Sequence, residues 1–130
     1  ASKYQSAADC KDLKFAVESG SAGQKAAQAN GYQFTEVKDQ ATALMEVKAG
    51  TCDAAIIDSL MAAAMVGEGT GYAELTYTAK LTSEEYGVGF RKGSDLTEKL
   101  NEFFKTAFES GKTAEIAEKY GVQAAIIDQK

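Results

Sequence analysis

Between Leu13 and Val66, strand-like segments alternate three times with helix-like segments, and this alternation restricts the fold more than any other feature of the chain. The segments "LKFAVES", "YQFTEV" and "DAAIID" are predicted to be strands, and residues 24–30, 40–48 and 60–66 are predicted to be helices. Three consecutive βα units favour a parallel sheet with helices on both faces. In such a sheet the loops that follow the strands gather at one edge, where ligands bind.

Local signals mark the ends of the second predicted helix. Asp39 is placed to cap its first turn, and Gly50 follows its last turn as a stop signal. Ala41, Leu44 and Met45 have the spacing of one helix face. We therefore expect these three side chains to pack against the sheet.

The pattern changes after Gly67, where the glycine-rich loop "GEGTGY" begins. The segments "AELTYTAKL" and "EYGVGFRKGS" alternate like strands near an edge of the sheet. The fold class predicted is therefore α/β, with a three-layer, doubly wound, mostly parallel sheet and a late antiparallel strand. From Ser94, which is predicted to cap it, the chain is predicted to be helical, with an apolar stripe formed by Leu96, Leu100, Phe103, Phe104 and Phe108.

Composition excludes several classes of function. The 14 Lys and Arg residues are outnumbered by 19 Asp and Glu residues, and the net charge of −5 argues against nucleic acid as a partner. The chain has no histidine, which rules out His-based zinc sites and His-dependent catalytic triads. We predict no metal and no cofactor. Cys10 and Cys52 are either two buried thiols or one disulfide.

The loop "ESGSAG" after the first strand is the first candidate binding site. Its small residues, Ser19, Gly20, Ser21 and Ala22, precede a helix whose free N–H groups suit a carboxylate or a phosphate. The alternative is a plain strand-to-helix turn, in which glycine is common. The loop lacks the spacing of a G-x-G-x-x-G fingerprint or a phosphate loop, so a small carboxylate fits better than a nucleotide.

Asp58 is the second candidate, because it lies where the third strand passes into a helix. Its carboxylate either caps that helix or points across the loops at a cation. Together with the Ser21 hydroxyl and the loop N–H groups, it would suit a zwitterion. Glu18, at the end of the first strand, would line the same crevice; the alternative for Glu18 is an exposed acid at a strand end.

Three segments carry a resemblance to a known family: "DLKFAVESGSAGQKAAQANG", "ATALMEVKAGTCDAAIIDSLMA" and "EYGVGFRKGSDLTEKLNEFFKTAFESGKTAEIAEKYG". They resemble the second lobe and C-terminal end of bacterial extracytoplasmic solute-binding proteins for polar amino acids, which have the type II periplasmic binding fold. The resemblance implies that Ser19 to Gly23 hold the ligand α-carboxylate, mainly through Ser21 and Ala22, and that Asp58 holds the α-ammonium. It also implies that Glu18 affects selectivity.

The resemblance has consequences for organisation and partners. Residues 1–93 would be the second lobe of a two-lobed clamp, and residues 94–130 a C-terminal helical segment that in relatives packs on the first lobe. The first lobe would precede Ser2, so the chain looks like a fragment cut at the hinge. We then expect the 95–110 helix to fold back or to pair with a second copy, as a homodimer or by domain swapping. The resemblance further implies an extracytoplasmic protein that binds a polar amino acid, serves the permease of an ABC importer and is not an enzyme.

The same fold would begin with strand order 2-1-3, which makes the first and third strands neighbours. Cys10 and Cys52 precede these two strands at the amino end of the sheet. The resemblance therefore favours a disulfide between them, away from the ligand.

Three other functions stay open. A receiver-type signalling domain would use Asp58 as phosphoacceptor, although it would need more acids after the first strand than Glu18 provides. A sensor domain of a membrane receptor can use the same pair of lobes. An enzyme on this scaffold is the weakest alternative, because no His, thiol or pair of carboxylates is predicted to converge on the crevice.

Overall fold

The structure is a computed structural model that describes residues 3–129. The chain divides into two compact units, Ala1–Glu84 and Glu85–Lys130. Ala1, Ser2 and Lys130, at the outer limits of the two predicted segments, lie outside the described residues. Within the described part of the chain, no helix has both the length and the apolar character needed to cross a membrane.

The first unit contains a parallel sheet of three strands, β1 (Lys14–Glu18), β2 (Gln33–Val37) and β3 (Ala54–Ile56). Three helices follow these strands in turn, α1 (Ala22–Asn30), α2 (Gln40–Ala49) and α3 (Ser59–Met65). The sheet order is β2-β1-β3, and β1 is parallel to both neighbours. The predicted α/β class and the predicted 2-1-3 order are therefore confirmed.

The central strand β1 is buried on both faces because its side chains alternate between two apolar clusters. Phe15 and Val17 pack on the α1 side, where the Phe15 and Tyr32 rings stack with centroids 4.7 Å apart. Ala16 packs on the α2 side against Ala43. The result is the three-layer arrangement that the sequence predicts, with one helix layer on each face of the sheet.

Helix α2 begins and ends where the sequence predicts. The Asp39 carboxylate accepts the N–H of Thr42 at 2.7 Å, and Gly50 ends the helix in a left-handed conformation. Hydrogen bonds from the Thr42 side chain and backbone lower the pKa of Asp39. The predicted buried face is confirmed for Leu44 and wrong for Met45, which is 60% exposed; Ala43, which was not predicted, is buried as well.

The two predicted later strands are not formed, so the late antiparallel strand is wrong for the described residues. Residues 73–93 contain no strand; just before them, a single isolated bridge joins Val66 and Tyr72. Alternation indicates two different faces, but a strand also needs a neighbouring edge with which to pair. The first of these segments instead covers the core through Ala79 and Leu81, and the Thr78 hydroxyl donates to the carbonyl of Tyr4.

The predicted disulfide is also wrong, because Cys10 and Cys52 are free thiols. Cys10 belongs to the cluster on the α1 side of the sheet, and Cys52 to the cluster on the α2 side. The prediction placed both residues at the amino end of neighbouring strands but did not consider on which face each side chain lies. The sheet itself separates the two sulfur atoms.

The second unit is helical, with α4 (Leu96–Glu109) followed by α5 (Lys112–Tyr120). The cap residue of α4 is Asp95, one residue later than the predicted Ser94. The Ser94 hydroxyl accepts the N–H of Leu96 at 3.2 Å. The apolar stripe of α4 is largely exposed, since the helix has no buried residue and Phe103 is 63% exposed. Ala117 of α5 is the buried position of this unit among the described residues.

The free thiols give a first prediction. Cys10 and Cys52 are 5% and 4% exposed, and burial, assisted by the charge of Asp9, raises the pKa of the Cys10 thiol. We expect slow alkylation in the native protein and complete alkylation of both residues after unfolding without a reductant. Intact-mass spectrometry measures the rate of alkylation in the native protein and in the unfolded protein. Unfolded, unreduced protein that takes up no alkylating reagent would show that the cysteines are paired.

Candidate functional site

The candidate site lies at the edge of the sheet where the parallel strands end. Val17 of β1 is aligned with Ile56 of β3, so the loops after these two strands start side by side. Glu18 ends β1 and Asp58 follows β3, and both residues are half-buried. The sheet order therefore brings the two predicted halves of the site, the 19–23 loop and Asp58, to the same edge.

Both glycines of the 19–23 loop are explained by the backbone alone. Gly20 has φ +76°, in the left-handed region that glycine adopts without strain. At Gly23 an added Cβ would lie 2.8 Å from the carbonyl oxygen of Ile56, so only glycine lets α1 begin this close to β3. The turn interpretation thus accounts for the glycines, and evidence for a ligand has to come from the hydrogen-bonding groups that are left over.

Most backbone N–H groups of the loop are satisfied within the protein. The pairs are Ser19 to the Val37 carbonyl (2.9 Å), Gly20 to Gln24 Oε1 (2.7 Å), Ser21 to the Glu18 carbonyl (3.2 Å) and Gln24 to Ser21 Oγ (3.1 Å). Over residues 3–129, the N–H groups of Ala22 and Gly23 donate no hydrogen bond. These two donors form the first turn of α1, where the helix dipole favours an anion.

The Asp58 carboxylate caps α3 and still has a free oxygen. Its Oδ1 accepts the N–H groups of Leu60 at 2.9 Å and Met61 at 3.3 Å. Its Oδ2 has no hydrogen-bond partner in the described part of the chain. Capping and cation binding, which the sequence presents as alternatives, are therefore compatible in one side chain.

Three polar side chains of this edge, those of Gln24, Glu36 and Gln40, were not identified as site residues from the sequence. Gln40, at the start of α2, accepts the N–H of Asp58 on its Oε1 at 2.9 Å. Glu36 of β2 accepts hydrogen bonds from the side chains of Ser19 and Gln24. Each contact joins residues more than ten positions apart, so local patterns carry no signal for it. Their positions at the ends of strands and starts of helices were the available clue.

The surroundings of Asp58 give the receiver-type alternative no support. Across residues 3–129 no group of three or more Cys, Asp or Glu side chains is close enough to hold a metal ion. Two shallow surface depressions lie elsewhere, one around Phe90 to Leu96 and one on the polar side of α4. The edge that carries Ser19, Gly20 and Ala22 is an exposed surface.

Comparison with known proteins gives one clear similarity. Neither a protein-family model nor a curated protein matches the chain. Among solved structures, a mutant of ArgBP from T. maritima matches with a TM-score of 0.71 and 28% sequence identity, over 90% of this chain. The fold is that of one lobe of a periplasmic binding protein.

By its name, the matched protein is an arginine-binding protein. The chain spans about half of the matched protein, 51% of its length. The edge described above is where a lobe of this fold offers its loops to a ligand.

The close approach at Gly23 gives a second prediction. The substitution Gly23→Ala forces a methyl group against the backbone of β3, so we expect the free energy of unfolding to fall by about 1–3 kcal/mol. The matched control is Gly71→Ala, because Gly71 has an open Cβ direction and no left-handed φ; it should change stability by less than about 0.5 kcal/mol. Urea unfolding of the two variants measures the difference. Equal stabilities would contradict the close packing of α1 on β3.

Proposed function

We propose that this chain is the amino-acid-binding lobe of a solute-binding protein. In this proposal residues 1–93 form the lobe and residues 94–130 its C-terminal segment. The α-carboxylate of the ligand binds at the 19–23 loop, and the α-ammonium binds at Asp58. The observation that carries the proposal is the pairing of two open N–H groups with a half-free carboxylate on neighbouring loops.

The carboxylate half of the site rests on Ser21, Ala22 and Gly23. The N–H groups of Ala22 and Gly23 point out of the first turn of α1, and the Ser21 hydroxyl, which accepts from Gln24, can still donate its hydrogen. Ala22 offers only its N–H, because its side chain has no hydroxyl. Two or three such donors and the helix dipole are a suitable environment for a small carboxylate.

The ammonium half of the site rests on Asp58 Oδ2. The carboxylate is held in place from two sides, since Oδ1 caps α3 and the Asp58 N–H is bound by Gln40. A carboxylate whose orientation is already fixed loses little entropy when it binds a cation. An ammonium group at Oδ2 would complete a charge-assisted hydrogen bond.

The charge of this edge favours a ligand with a cationic side chain. Glu18, Glu36 and Asp58 lie at the ends of the strands, while Lys38 is within 3.8 Å of Asp39. Excess negative charge repels an acidic ligand and attracts a basic one. Arginine, which the structural neighbour binds according to its name, is therefore the first ligand to test.

The proposed role in the cell is supported by the periplasmic-binding-protein fold of the structural neighbour. We propose that the protein acts outside the cytoplasm, in the periplasm or anchored at the cell surface, and delivers its amino acid to the permease of an ABC importer. It performs no reaction and needs no cofactor, because capture requires only hydrogen bonds and charge. A sensor domain of a membrane receptor would bind the same ligand at the same edge, and would differ in having no permease as partner.

The ligand site gives a third prediction. One lobe supplies part of a closed clamp, so we expect L-arginine to bind the 130-residue chain with a Kd in the millimolar range, measured by NMR titration of the backbone amides. The largest shifts should occur at Ala22 and Gly23. Asp58→Asn keeps the cap oxygen but removes the charge, and should weaken binding about tenfold. Asp12→Asn, an equal charge change at the amino end of β1, should have little effect.

Ligand analogues separate the two halves of the site. Argininamide lacks the carboxylate and N-acetylarginine lacks the ammonium, so each should bind more weakly than arginine. Asp58→Asn should reduce binding of arginine but not of N-acetylarginine. Shifts confined to residues outside the 19–23 loop would contradict the proposal. Phosphorylation of Asp58 by a small phosphodonor with magnesium would favour the receiver-type alternative instead.

The exposed stripe on α4 gives a fourth prediction. Leu96 and Phe103 are 48% and 63% exposed, which supports association with a second copy through the 95–110 helix. Light scattering should show a concentration-dependent dimer that Phe103→Ser weakens. Lys105→Ser, on the same helix, should leave the dimer unchanged. A wild-type chain that stays monomeric at high concentration would contradict this association.

A further inference from the structure

Glu36 and Gln24 form a hydrogen-bond network that reaches the backbone of the 19–23 loop. The Glu36 carboxylate accepts the Ser19 hydroxyl at 2.7 Å on one oxygen and the Gln24 amide Nε2 at 2.6 Å on the other. The amide oxygen of Gln24 in turn accepts the N–H of Gly20 at 2.7 Å. Strand β2 is thereby connected to the loop that follows β1.

Glu36 fixes the order of donors and acceptors in this hydrogen-bond network. An ionised carboxylate only accepts hydrogen bonds, so the Gln24 amide must turn its NH₂ group towards Glu36. Its oxygen then points at Gly20, whose N–H only donates. A neutral amide at position 36 would remove this constraint, because an amide both donates and accepts.

The hydrogen-bond network determines which N–H groups of the loop are open. The Gly20 N–H is occupied by Gln24, whereas the N–H groups of Ala22 and Gly23 are not occupied by any described residue. Resting on the proposed function, we propose that Glu36 and Gln24 are positioning residues that fix the loop and direct a ligand carboxylate to the first turn of α1. Neither side chain needs to touch the ligand.

Preorganisation is the physical benefit. A loop whose conformation is fixed before binding loses less conformational entropy when the ligand arrives. If these hydrogen bonds are lost, the Gly20 N–H becomes free and the loop gains alternative conformations. Binding then becomes weaker, although the groups that contact the ligand are unchanged.

Three variants test this proposal. In Glu36→Gln, the charge-assisted contact to the Gln24 amide becomes a neutral one, and the amide at position 36 no longer fixes which way the Gln24 amide faces. In Gln24→Glu, two carboxylates face each other and repel. The double variant Gln24→Glu with Glu36→Gln exchanges acid and amide, which restores every donor–acceptor pair and keeps the net charge of the wild type.

The direct measurement is the solvent exchange rate of the Gly20 amide, obtained by NMR in the absence of any ligand. A single hydrogen bond contributes about 0.5–1.5 kcal/mol, so each single variant should exchange about 2- to 10-fold faster than the wild type at Gly20. The double variant should return to the wild-type rate. Exchange that is equally fast in all four proteins would overturn the proposal, as would a double variant no slower than the single variants.

Titration with L-arginine then measures how each variant changes the affinity of the site for the ligand. We expect both single variants to bind several-fold more weakly, and the double variant to bind within about twofold of the wild type. A double variant as weak as the single variants would overturn the positioning role. If arginine does not bind even the wild type, the proposed function fails, while the exchange rates of Gly20 still decide whether Glu36 and Gln24 fix the loop.

Discussion

The burial of strand β1 on both of its faces is the constraint on which the first unit depends. Phe15 and Val17 face α1, and Ala16 faces α2, so neither helix layer has an apolar surface to cover without this strand. β1 also pairs with both other strands of the sheet. Because all three strands are parallel, their following loops meet at one edge. The position of the candidate site is a consequence of how the core is built.

At that edge, the residues that the backbone conformation requires can be distinguished from the groups that are open to a ligand. Gly20 and Gly23 are required by a left-handed turn and by the close approach of α1 to β3. Among the described residues, the groups of this edge without a hydrogen-bond partner include the N–H groups of Ala22 and Gly23 and one oxygen of Asp58. A zwitterion offers groups of opposite charge to these positions, and for this reason we propose an amino acid as the ligand.

The sequence predicted the elements that local patterns determine. The strands and helices from β1 to α3 and the Asp39 cap are confirmed, because hydrophobic periodicity and capping residues act over a few positions. Non-local features were missed. Residues 73–93 alternate like strands but find no strand to pair with, and the assignment of Met45 to the buried face of α2 is wrong.

The cysteines and the candidate site also depend on contacts that local sequence patterns do not determine. The sequence placed Cys10 and Cys52 at one end of the sheet, but the face of the sheet that each occupies depends on packing against α1 and α2. For the site, the 19–23 loop and Asp58 are brought to one edge as predicted. The supporting residues Glu36 and Gln40 could not be found from the sequence, because their contacts cross between loops.

The measurement that most directly tests the central claim is a crystal structure of the chain with L-arginine bound. We expect a carboxylate oxygen about 3 Å from the backbone nitrogens of Ala22 and Gly23, and the α-ammonium about 3 Å from Asp58 Oδ2. Arginine bound elsewhere, for example in the depression around Phe90 and Leu96, would contradict the account. So would arginine at this edge in the reverse orientation, with its guanidinium group on Asp58 and its carboxylate in solvent.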